Sequence, residues 1–137
     1  MMSPSPPFLV IREGISFWVE NRPVNDLSAT LYAFNEGCYV DAFCYDSDSQ
    51  YWPIEKAQFT VTPLLKYRFF PWQQLPVKLT LGKSTIAEVS EITAQLVEIL
   101  QSDSEFNDYS SELPKSIKRL RTARSASELI RAASLIK

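Results

Sequence analysis

The chain has 137 residues, 45% apolar and 22% charged, with eight Phe, six Tyr and three Trp and a net charge of −2, the composition of a folded domain and not of a disordered segment. It contains no histidine and only two cysteines, which removes Ser-His and Cys-His nucleophiles and argues against a structural zinc site within one chain. Its three glycines form neither a GxGxxG nor a P-loop, and no apolar run approaches the ~20 residues of a membrane span.

The opening MMSPSPP has no basic region and no long apolar stretch. It reads as a disordered lead-in over residues 1–7, and the cytoplasm is the expected compartment. Residues 8–81 then read as strands. FLVIRE and ISFWVE flank Gly14, as a hairpin or as one bent strand. SATLYAF, Asn35-Glu36-Gly37 and CYVDAFCYD read as a second hairpin, with glycine at the left-handed position. If CYVDAFCYD is one strand, Cys38 and Cys44 lie ~20 Å apart, too far to pair, so both are expected as free thiols. Its small face (Cys38, Val40, Ala42, Cys44) suits close helix packing, and its aromatic face (Tyr39, Phe43, Tyr45) needs another cover. DSDSQ is a polar turn, followed by YWPI, AQFTVT, LLKYRFF and VKLTLG punctuated by prolines.

Thr85-Ile86-Ala87-Glu88 fits a capping box and predicts a helix over 85–101, with Ile86, Val89, Ile92, Leu96, Ile99 and Leu100 on one stripe. Ser102 to Glu105 predicts a short turn. Pro114 and the box Ser125-Ala126-Ser127-Glu128 open two further short helices. Strands first and helices last predict an α+β fold. An antiparallel sheet fills the N-terminal two-thirds, covered by one long amphipathic helix, over residues 8–112. A basic helical tail at 113–137 docks on that body or on a partner.

Charge is split along the chain. Residues 1–112 carry seven basic and fifteen acidic groups, a net of −8; residues 113–137 carry seven basic groups and Glu128, a net of +6. Lys115, Lys118, Arg119, Arg121 and Arg124 are the candidate phosphate-binding residues if the tail meets nucleic acid. Tyr51, Trp52, Phe70 and Trp72 are the candidate anchors for another protein or a second copy, since Trp and Tyr dominate interface energetics. DSDSQYWPIEKA starts like a calcium loop, but Tyr51 and Ala57 stand where glycine and glutamate are needed. Asp41 with Asp46 or Glu55 is the remaining carboxylate pair for hydrolase chemistry. The sequence favours a non-catalytic protein-interaction module, with no cofactor and no membrane contact expected. Nucleic-acid binding and a small carboxylate hydrolase are the alternatives.

Overall fold

In the computed structural model, which describes residues 3–60, 72–102 and 113–136, the chain opens with a hairpin set by one glycine. Strands β1 (Phe8–Arg12) and β2 (Ser16–Glu20) pair antiparallel. Gly14 takes φ +74° between them, and Ile15 N donates to Arg12 O at 2.9 Å. A three-residue loop of this kind needs the left-handed conformation that glycine adopts without a Cβ penalty.

The second expected hairpin is something else. Strand β3 stops at Ser28–Thr30, and helix α1 runs over Leu31–Asn35. The Thr30 hydroxyl accepts from Ala33 N at 3.0 Å and caps the helix. Gly37, at φ +82°, closes it: Gly37 N donates to Phe34 O, and Cys38 N to Ala33 O. These two bonds form a Schellman motif, so the glycine ends a helix instead of turning a hairpin. Strand β4 is confined to Ala42–Tyr45, followed by β5 (Gln50–Phe59), β6 (Gln74–Leu81) and β7 (Thr85–Ile86). The expected capping box at Thr85 is also corrected. Thr85 and Ile86 pair with Tyr51 and Gln50, and Ala87 N donates to Ser49 O. Strand pairing takes these residues, and helix α2 begins at Val89 and runs to Ser102. Helices α3 (Leu113–Thr122) and α4 (Ala126–Ser134) follow, with the Ser125 hydroxyl accepting from Glu128 N as the second capping box predicts. The strand expected at LLKYRFF and the turn expected after Ser102 lie outside the described residues.

The fold is α+β. The sheet is antiparallel throughout, in the order β2-β1-β4-β5-β6-β3, with β7 added beside β5. Successive residues of a strand face opposite ways, and here both faces are buried. Leu9, Ile11, Phe43 and Tyr45 pack with Ile92, Leu96, Leu100, Leu120, Leu129 and Ile130 of the three long helices. Phe8, Val10, Ala42, Cys44, Trp52 and Val77 face the other way, where the sheet curls over Ala29 and Tyr39. This reverses the expectation for β4. Its aromatic face lies under the helices, and its small face lines the inside of the curl. Each fully buried Leu, Ile or Phe contributes about 1.5–3 kcal/mol of transfer free energy.

The two ends of the strand order meet through side chains. Arg22, just past β2, donates to both Glu20 carboxylate oxygens at 2.8 and 3.1 Å and to Ser28 Oγ at 2.6 Å. Ser28 Oγ in turn lies 3.0 Å from Gln74 Oε1. The bridge joins β2 to β3 and β6, which share no ladder with it.

Candidate interaction surfaces

The four expected partner anchors end up in different places. Trp52 is 5% exposed, and its indole N–H donates to Asp46 Oδ2 at 2.9 Å. It is a core residue, so it is not available as a surface anchor. Tyr51 is half-buried, its ring centroid 4.6 Å from that of Phe43. Phe70 lies outside the described residues. Trp72 is 65% exposed at the entrance to β6.

At the same end of the β3–β6 ladder as Trp72 the fold places a residue that the sequence pattern concealed. Thr30 pairs with Gln74 in the β3–β6 ladder. Tyr32 follows Thr30 by two residues, and Trp72 precedes Gln74 by two. The antiparallel register therefore sends both aromatics to the same end of the sheet, and Tyr32 is 63% exposed. Read as a strand, SATLYAF gave no reason to single out Tyr32. The helix that Thr30 caps is what turns it outward.

The tail helices dock on the body. Leu120, Ala126, Leu129, Ile130 and Ala133 join the same core as Leu9 and Ile11. The basic residues divide by helical position. Lys115, Lys118 and Arg119 share an exposed face of α3, apart from buried Ser116 and Leu120. Arg121 and Arg124 instead border a groove of about 740 Å³ against α2, whose far wall carries Glu88 and Glu98 over a floor that includes Ala94, Val97 and Ala123. All five basic residues are exposed, and among the described residues none forms an ion pair.

Of the carboxylates expected for hydrolase chemistry, Asp46 is set apart from Asp41 and Glu55. Asp46 is 3% exposed and holds the turn before β5: its Oδ1 accepts from Asp48 N and Gln50 N at 2.9 and 3.0 Å, and its Oδ2 from Trp52. Asp41 is not between aromatics on a strand. It stands in a turn at φ +54°, exposed. Asp41 and Glu55 do line one pocket of about 310 Å³, with Phe34 and Tyr39, and both carboxylates are open to solvent. No group of metal-ligating side chains occurs among the described residues. Both cysteines are free. Their separation does not come from one long strand, because Cys38 lies in the turn after α1. Burial raises both thiol pKa values, that of Cys44 to about 12 with the nearby Asp46 and Glu20 charges adding to the shift. At neutral pH both thiols stay protonated and weakly nucleophilic.

No helix among the described residues is long and apolar enough to cross a membrane. The chain matches no family model, no curated protein and no solved structure.

Proposed function

We propose that this chain is a non-catalytic protein-interaction module that seats the sheet end bearing Trp72 and Tyr32 on another protein. The observation that carries the reading is the exposure of two large aromatics at one end of a pinned antiparallel ladder. Aromatics on a rigid platform lose little conformational freedom on binding, and rings of this kind form the energetic centre of many interfaces. The outward cations of α3 would steer an acidic partner toward the molecule. Photo-crosslinking tests the reading. p-Benzoylphenylalanine placed at position 32 or at position 72 in the native cell is expected to give the same adduct, and at exposed Ile15 to give none. Equal labelling from all three positions, or from none, contradicts it.

A second reading rests on the outer face of α3, where Lys115, Lys118 and Arg119 form no ion pair among the described residues and Arg121 and Arg124 flank them. Such a face suits nucleic-acid phosphates, without base specificity. Fluorescence anisotropy with mixed-sequence single- and double-stranded probes separates the two. Five phosphate contacts would lose roughly 10²–10³-fold in affinity between about 50 and 200 mM salt. Absence of binding at low salt removes this reading and leaves the aromatic one.

A further inference from the structure

A pocket of about 350 Å³ opens where α4 crosses the start of β1, the end of β2 and the turn after β4. Its apolar lining is Pro7, Val19 and Ile130, of which Ile130 is 2% exposed. Its rim is polar and carries a single charge, Arg131, with Asn21, Ser47 and Ser127 around it. The third rim hydroxyl, Ser134, donates to Arg131 O at 2.6 Å, so it turns its lone pairs and not its proton outward.

Among the described residues no carboxylate lines the pocket. Of the acids nearest in sequence, Glu20 is held by Arg22, Asp46 by its turn and Trp52, and Glu128 by Arg124 N at 2.7 Å, while Asp48, next to Ser47, is exposed and does not line the pocket. Arg131 forms no ion pair among the described residues. Among the described residues the rim therefore presents a guanidinium without an ion-pair partner, and neutral donors, beside an apolar lining. The volume sits at the lower end of small-molecule sites, which run ~300–1,000 Å³.

We propose that this pocket binds a small amphiphile with one anionic head group and a short apolar body. Arg131 takes the head group in a charge-assisted hydrogen bond, with Ser47, Ser127 and the Asn21 amide as neutral partners. The apolar body rests on Val19 and Ile130. The site is separate from the sheet end proposed for partner binding, so either assignment can fail without the other.

Amide shifts in ¹⁵N spectra of the full chain test the assignment, with octanoate, octyl phosphate and octylammonium as probes in a phosphate-free buffer. Shifts confined to β2, Ser47 and α4 with the anionic probes, and none with octylammonium, are the expected result. Response to octanoate alone names a carboxylate ligand, and response to octyl phosphate alone a phosphate ligand. Arg131→Gln keeps the apolar stem and is expected to weaken anion binding about tenfold, the loss of one charge-assisted contact. Ser134→Trp, at an exposed helix position, is expected to abolish it by filling the opening. Equal response to octylammonium, shifts scattered over the surface, or unchanged binding in Arg131→Gln overturns the proposal.

Discussion

At the scale of single residues, two polar clusters decide how the curled sheet holds its shape. Trp52 and Asp46 form one. Truncating Trp52 to Ala removes a buried ring and leaves a carboxylate oxygen without its donor. The expected cost is about 3–5 kcal/mol, read as a large fall in the midpoint of denaturant unfolding. Glu20 and Arg22 form the other. Burial alone would raise the Glu20 pKa, but the hydrogen bonds and charge of Arg22 outweigh it, and the pKa falls below the ordinary 4.5. A carboxylate with a depressed folded pKa stabilises the fold above its unfolded value, and that contribution is lost as pH falls through the folded pKa. Glu20→Gln should therefore destabilise most near neutrality, and its stability should converge with the parent well below pH 4.5. A constant difference at every pH would show that Arg22 contributes through packing alone.

At the scale of elements, the chain was legible where one local signal had one outcome. The box at Ser125 is such a case: it named its cap, and the cap appears in the fold. Gly14 left a hairpin or one bent strand open, and the fold takes the hairpin. The chain was illegible where one signal serves two structures. A glycine at positive φ closes a hairpin or ends a helix, and Gly37 does the second. A threonine before an apolar run can extend a strand or cap a helix, and Thr30 caps. Thr85 could do the same, but the β5 edge offers ladder bonds and takes it. Thr30→Ala is expected to cost about 1 kcal/mol, as lost helix caps do. If unfolding is unchanged, α1 is held by its packing and not by its cap. These errors hid the site. Tyr32 becomes a surface residue only once α1 is seen, and Trp52 reads as a surface candidate until Asp46 is seen to hold it inside.

At the scale of the whole molecule, the basic tail belongs to the core. Leu120 is fully buried with Leu9 and Leu96, so Leu120→Ala is expected to cost about 2–5 kcal/mol. It should lower a single cooperative transition and not create a separate one for the tail. Two transitions would mean that α3 and α4 dock as an independent unit. Among the described residues ion pairing is confined to Arg22 and Glu20. The cations of α3 are exposed, as are Tyr32 and Trp72 at the sheet end.

The most direct test of partner binding is the crosslinking yield from position 32 in a Trp72→Ala background, with the thermal transition recorded on the same variant. An intact transition with a yield reduced at least about tenfold, the scale of a lost interface anchor, is the predicted result. An intact transition with an undiminished yield would contradict the assignment of Trp72 as an anchor.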